Sequence, residues 1–423
     1  MRWGLTKRVW LMTALASGLP ATVSHAQELL PPVRDLQSVR ALGLGVPAVA
    51  FSGFAGGETY LDNPAWVGEE GKSKNSGLLR GFWFPSFVLG ANGTTRALAR
   101  AYFSGQSSAQ QRVESFLKAS KNEQTPYGLF SLRPALTFGP VQWSAFTRIR
   151  VEGYVWQPTE TSLTTGSEMN GIPVMTDVLS RPQGMNVTGA AIDQLDVRAT
   201  IERGTSLSLS VPYKNTGVHL GVTARPTWRS DYFGSVSLSE PLVSESAEKL
   251  KAKFNETKGV AIDAGAAVRL SKLRMKPVLG LKIEDISDTR YVAVNSAHQT
   301  LVQKSSLSGG VSGWLVQSSQ FGTQCGLAAH HMNDGRVEWK GKWGAACEAY
   351  VAGQPQGDVI YGAPVVLRLG LTQDGVAYGI SWDMPFALLE MASSVARVTG
   401  PAGYSTRTDR RYFLRLTVNV NQP

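Results

Sequence analysis

Cysteine is nearly absent, with two residues in 423. That excludes a scaffold built on disulfides, and no Cys/His grouping has metal-ligand spacing. Long apolar runs are also missing. No run is long enough for the roughly 20-residue helix that spans a bilayer. The common catalytic signatures are missing too: there is no Gly-x-Ser-x-Gly elbow, no Gly-x-x-x-x-Gly-Lys phosphate loop and no His-Glu-x-x-His pair. The glycine-rich run Ser52-Gly53-Phe54-Ala55-Gly56-Gly57 has no βαβ surroundings and reads as tight turns. The chain is therefore expected to be no enzyme and to need no cofactor and no metal. His219 would serve a Ser/His hydrolase only with a nucleophile and an orienting group beside it.

The first residues carry an export pattern. Arg2, Lys7 and Arg8 precede a short apolar stretch from Val9 to Leu19, and Ser24-His25-Ala26 offers a cleavage site. A signal peptide over 1–26 is expected, with Gln27 as the first mature residue. An exported chain without a spanning helix is either soluble or a barrel, because only helices and closed barrels satisfy every backbone group in lipid. The formal charge of +10 is spread singly along the chain rather than gathered in patches. Nucleic acid is thereby excluded as a partner, and contact with anionic lipid headgroups is favoured.

The positive signal is alternation with period two. Leu207, Leu209, Val211 and Tyr213 fall on one side of a run, with Ser206, Ser208 and Ser210 on the other. Val365, Leu367, Leu369 and Leu371 oppose Val366, Arg368, Gly370 and Thr372. Tyr412, Leu414, Leu416 and Val418 oppose Phe413, Arg415, Thr417 and Asn419. The runs are about 9–11 residues or longer, the length a tilted strand needs to cross hydrocarbon. Tyr213, Trp228, Trp382 and Tyr412 stand near run ends, where aromatic girdles belong. A soluble β-sandwich also alternates, but length and girdle favour the membrane.

Strands are expected near 77–89, 128–138, 141–155, 190–202, 205–213, 217–229, 258–270, 275–285, 303–318, 320–332, 336–352, 358–372, 375–390 and 410–421, with a weaker run at 287–295. The expected fold is all-β: a transmembrane antiparallel barrel of about 14 strands, with an N-terminal plug and short helical loop segments. Domain limits are 27–76 for the plug and 77–423 for the barrel. Ser108 to Lys118 and Pro241 to Phe254 have helical spacing. Residues 156–189 and 391–409 read as long loops. The connection 230–257 falls, in this scheme, on the side where short turns belong. Cys325 and Cys347 flank a turn at Asn333-Asp334-Gly335; they either pair across that hairpin or remain two buried thiols. The inner side of the strands nominates Asp196, Arg198, His219, Asp263, Arg269, Lys282, Glu284, Arg368, Asp383 and Arg415 as lumen-facing.

Gly45 to Gly68, "GVPAVAFSGFAGGETYLDNPAWVG", resembles the N-terminal plug of the long-chain fatty-acid transporter (FadL/PorV-like) superfamily of outer-membrane barrels, which carries an Asn-Pro-Ala motif matched by Asn63, Pro64 and Ala65. The strands "GVAIDAGAAV" and "YFLRLTVNV" resemble that group's strands. The resemblance implies a Gram-negative outer-membrane location and a plug motif of Asp62, Asn63, Pro64, Ala65 and Trp66. It also implies passive transport of hydrophobic or amphipathic small molecules. Outer-membrane lipids and a hydrophobic ligand are the expected partners. The alternative is a surface barrel, associated with secretion or conjugation, that docks envelope proteins without transporting small molecules.

Overall fold

The computed structural model describes residues 38–51, 58–67, 79–103, 126–155, 194–213, 216–237, 254–286, 288–295, 299–335, 339–356, 359–361, 363–398 and 407–419, with short pieces at 27–28, 168–169 and 172–173. Fourteen antiparallel strands form one sheet. They are β1 (Leu79–Asn92), β2 (Tyr127–Leu132 and Ala135–Phe138), β3 (Val141–Val155), β4 (Gln194–Tyr213), β5 (Val218–Ser237), β6 (Asn255–Arg269) and β7 (Val278–Glu284 and Thr289–Ala293). The series continues with β8 (Leu301–Gln303 and Ser306–Gln317), β9 (Phe321–Ala329), β10 (Trp343–Val351), β11 (Val365–Thr372), β12 (Gly375–Met384), β13 (Ala387–Val398) and β14 (Arg407–Asn419). β1 pairs with β14, so the sheet closes on itself and leaves no edge in lipid.

Alternation sorts the side chains as the sequence pattern requires. Outward positions hold Leu207, Val211, Leu220, Val260, Leu281, Leu369 and Ile380, all exposed. Inward positions hold small hydroxyls and charges. Ser208 and Thr223 bond at 2.7 Å across β4 and β5, and Ser86 and Thr417 at 2.9 Å across β1 and β14. An apolar outer belt around a polar inner face is the inverse of a soluble sandwich. The protein is a transmembrane β-barrel.

Several strand expectations need correction, although the count of fourteen stands. The runs 190–202 and 205–213 are one 20-residue strand, β4; Arg203 and Gly204 stay in register with β3 and β5. The run 375–390 is two strands joined at 385–386, and 391–409 is not all loop, because β13 reaches Val398. The run 287–295 is the upper half of β7, displaced by an irregularity at Asp285 and Asp288, both of positive φ. Within 336–352, Trp339–Lys342 is helical and the strand begins at Trp343. The strand 320–332 ends at Ala329, which leaves His330 and His331 in the loop. Merging the β4 runs reverses the up–down sense assigned to β5, so 238–254 joins the long connections at one end. Helix α1 of the barrel rim, Gly93–Phe103, was not anticipated. The expected helices at 108–118 and 241–253, the signal peptide and most of 156–189 lie outside the described residues.

Cys325 and Cys347 face each other in register across β9 and β10 and form a disulfide. They occupy outward positions, alternating with inward Gln324 and Glu348. With a sequence separation of 22, loop-closure entropy gives about 3 kcal/mol of stabilisation. A Cys325→Ser/Cys347→Ser variant should lose about that much in urea unfolding from bilayers. It should keep heat-modifiable gel migration, because closure rests on β1–β14.

Candidate functional site

Inside the barrel lie two stretches of the N-terminal segment, 38–51 and 58–67, and every described residue in them is buried. The first opens with helix α2 (Val39–Leu44), capped by Ser38, whose Oγ accepts from the Ala41 N–H at 3.0 Å. The Glu58 carboxylate adds a second acceptor, for the Val39 N–H at 3.3 Å. Gly45, at φ 66°, ends the helix in the left-handed region where glycine is favoured. The second stretch holds a short helix, Thr59–Asp62, and a 3₁₀ turn, Pro64–Trp66.

Asn63 organises the turn. Its Oδ1 accepts from the Ala65 N–H at 3.0 Å. Its amide nitrogen donates to Val49 O at 3.0 Å and to the wall carbonyls Ala266 O at 3.3 Å and Leu281 O at 3.4 Å. The Trp66 indole donates to the same Val49 oxygen at 3.1 Å. Pro64 needs no donor at the first position of the turn. The motif thus ties the two stretches to each other and to the wall between β6 and β7. Trp66 lies between Arg269, 4.6 Å above its ring, and His219, 5.4 Å between centroids. Ser210 of β4 donates to Ala65 O at 2.8 Å, and Lys282 of β7 donates to Leu61 O.

Close seating needs glycine in the wall. A Cβ at Gly265 would overlap the Asn63 side chain, and one at Gly280 would overlap the Val49 carbonyl. Apolar side chains fill the rest. Val39 and Leu42 pack with Val88, Leu129 and Phe413, while Leu44, Val46 and Phe51 pack with Ala328 and Ala346.

On the side of β10 to β14 the seat is ionic. Arg40 makes a bidentate pair with Glu348, at 2.9 and 2.6 Å. Glu348 also accepts from Arg368 at 2.8 Å and from the Tyr350 hydroxyl at 2.8 Å. Arg368 reaches Glu390 at 3.1 Å, and Glu390 pairs with Arg415 at 2.6 Å. Arg415 and Arg133 both approach Glu58, at 3.4 and 3.3 Å. The chain of charges starts on the inner segment at Arg40, runs along the wall and returns to the segment at Glu58. Burial works against the Arg40 charge, but Glu348, Tyr350 and Asp62 together more than offset it and hold the guanidinium protonated. Burial pushes the Asp62 carboxyl up to about 6, against the pull of Arg40 and a hydrogen bond from Ser38.

Of the nominated lumen residues, His219, Arg269, Lys282, Arg368 and Arg415 meet the inner segment or its ionic seat. Glu284 pairs with Lys282. Asp263 belongs to a separate group with Arg225 at 3.0 Å and the Asp285 N–H at 3.0 Å. Arg198 stands higher in the lumen, opposite Glu152 in register, and Asp196 lies on the same strand opposite Tyr154. Asp383 is half-buried near the end of β12. Sequence reasoning passed over Arg40, Glu58, Arg133, Glu348 and Glu390. The available signal was a lone charge inside the apolar stretch around Arg40, and Glu348 alternating with small residues of β10. Among the described residues no group of three or more His, Cys, Asp or Glu is placed to hold a metal ion.

No protein-family model matches the chain. No curated protein sequence matches it. Among solved structures it is similar to the P. putida toluene transporter TodX, with a TM-score of 0.44 and 11% identity over 91% of this chain and 99% of that one. It is similar to the Ralstonia pickettii toluene transporter TbuX, with a TM-score of 0.47 and 12% identity over 91% of this chain and 98% of that one. The CymD monoaromatic hydrocarbon channel gives a TM-score of 0.48 and 10% identity, covering 91% and 98%.

Two outcomes are expected for the seat. Gly280→Val should displace the Val49 backbone and make the inner segment cleavable by protease in otherwise folded, heat-modifiable protein. The second concerns pH. A seated Asp62 binds its proton more tightly than a free carboxyl of pKa about 3.9. Its contribution to seating is fully present below that value and lost as pH rises through about 6. Protease release should therefore be faster at pH 8 than at pH 5, and Asp62→Asn should flatten the difference.

Proposed function

We propose that the barrel passes hydrophobic or amphipathic small molecules across the outer membrane without an energy source, and that residues 38–67 are the plug that closes it at rest. The observation that carries the reading is the complete burial of the described inner residues against the wall. A pore open to ions and small polar solutes has no use for a segment seated through hydrogen bonds, glycine contacts and paired charges. A barrel that must stay tight to ions, yet admit a solute arriving from or leaving into an apolar phase, does. The Asn63-Pro64-Ala65 turn serves as the plug's anchor, and the resemblance of this motif to fatty-acid transporters points the same way. The absence of nucleotide-binding signatures fits a passive process.

The experiment is flux of a fluorescent long-chain fatty acid into proteoliposomes, run beside conductance in planar bilayers. Wild-type protein should speed fatty-acid entry and be electrically quiet. Arg40→Gln strips Glu348 of one partner, a loss of about 3–5 kcal/mol for a buried pair, and should raise ion conductance. Fatty-acid entry no faster than in empty liposomes would sink the transport reading. Steady wild-type conductance would make the protein a porin for polar solutes.

A further inference from the structure

On the outer wall of β4 to β7 a row of cations borders the apolar belt. Arg203 on β4 lies opposite Trp228 on β5. Trp228 lies opposite Lys258 on β6, and Lys258 lies opposite Val292, two residues from Arg290 on β7. Arg203, Lys258 and Arg290 are exposed, and Trp228 is 58% exposed. Among the described residues none of the three cations has a hydrogen bond or ion pair. Glu256, two residues from Lys258 on the same strand, is half-buried and has a bonding partner of its own. Lys304, further along the wall, is already paired with Asp288 at 3.1 Å.

The level of the row matters. Arg203 is ten residues from Tyr213 at the lower end of β4, and Trp228 is ten residues from Val218 at the lower end of β5. At about 3.3 Å per residue and a tilt of roughly 40°, ten residues rise about 25 Å, the height of the apolar band of such barrels. Below the row the outer face carries Leu207, Val211, Leu220, Val260 and Ile283. Above it, β4 and β5 continue for nine more residues each toward the end bearing the long connections, which is the extracellular end. The cations therefore stand at the headgroup level of the outer leaflet. Neighbouring strands are about 4.8 Å apart, so the row spans about 15 Å from β4 to β7.

We infer that Arg203, Lys258 and Arg290, arranged about Trp228, form a site for the phosphate groups of the outer leaflet's phosphorylated glycolipid. Its acyl chains would lie on the leucine and valine face below. Three cations in a row, none with a side-chain partner among the described residues, supply complementary charge for two phosphates on one headgroup, and an interfacial tryptophan fits the boundary between sugar and acyl chain.

The test is native mass spectrometry of detergent-purified full-length protein, titrated with bisphosphorylated lipid A, dephosphorylated lipid A or phosphatidylglycerol. Wild-type protein should retain bisphosphorylated lipid A. Arg203→Gln/Lys258→Gln/Arg290→Gln should lose it by tenfold or more, while Lys258→Arg should keep it. Dephosphorylated lipid A should bind weakly to both. Lys272→Gln/Arg274→Gln, at the opposite end of the barrel, should bind like wild type. Heat-modifiable migration verifies folding; if the triple variant does not fold, the single Lys258→Gln variant carries the comparison. Equal retention by wild type and charge-removal variants would overturn the site. So would retention of phosphatidylglycerol as strong as that of bisphosphorylated lipid A, or an equal loss in the Lys272/Arg274 control.

Discussion

The pairing of Arg40 with Glu348 is the contact that fixes where the inner segment lies. Both side chains are buried, and losing the bidentate contact leaves each charge with weaker or fewer partners in a low-dielectric site. Buried ion pairs are weak devices for stability, since desolvation consumes most of the Coulomb gain, but they discriminate strongly between right and wrong placements. A slip of α2 by one turn would remove the guanidinium from Glu348. It would also withdraw the α2 N-terminus from Glu58, which is held in turn by Arg133 and Arg415. The apolar contacts of Val39, Leu42 and Leu44 supply attraction without direction. The charges supply the register.

The opposite side of the lumen uses backbone geometry. Where the Asn63 turn meets β5 to β7, the wall presents Gly221, Gly265 and Gly280, and the segment's polar groups bond wall carbonyls through the space those missing side chains leave. An asparagine suits this place because its amide both donates and accepts. One side chain caps the 3₁₀ turn and also bonds two wall carbonyls. Aspartate at position 63 would lack the donor, and its charge would face three carbonyl oxygens.

Strand alternation was legible because each strand separates lipid from lumen, so β3, β6 and β14 appear at nearly the expected positions, whereas β11 begins at Val365 rather than near 358. Boundaries failed where the local pattern is the same for a turn and for a continuing strand. Glu202-Arg203-Gly204-Thr205 looks like a break, yet it is mid-strand: Glu202 faces Arg148 and Arg229 inside, and Arg203 faces outward beside Trp228. Met384 to Ala387 looks like continuing strand and is a turn. These two errors cancelled in the count but reversed the sense of the strands between them, which is why 230–257 falls on the wrong side in the sequence reading. The motif at 62–66 could be found as a string. Its partners could not, because Glu348, Glu390 and Arg133 are distant in sequence and isolated charges on a strand face carry no mark of what they meet.

The arithmetic of the ionic seat bears on whether such a closure can be reversed. On the wall, Glu348, Arg368, Glu390 and Arg415 alternate in sign and bond their neighbours directly. Taken alone those four are neutral, so the wall keeps most of its pairing when Arg40 and Glu58 leave; Arg133 loses Glu58 but keeps its bond to Ser131 at 2.8 Å. On the segment, Arg40 lies 4.0 Å from Asp62 even when seated, so a departing segment carries a counter-charge for its own arginine. A seat built of one positive group from the wall against one negative group from the segment would expose a full buried charge on each side at release. This one shares its pairs so that each half remains nearly self-sufficient. The apolar contacts and the Asn63 anchor then hold the segment beside the charges, and under the proposed transport they are the contacts that an amphipathic solute would have to replace.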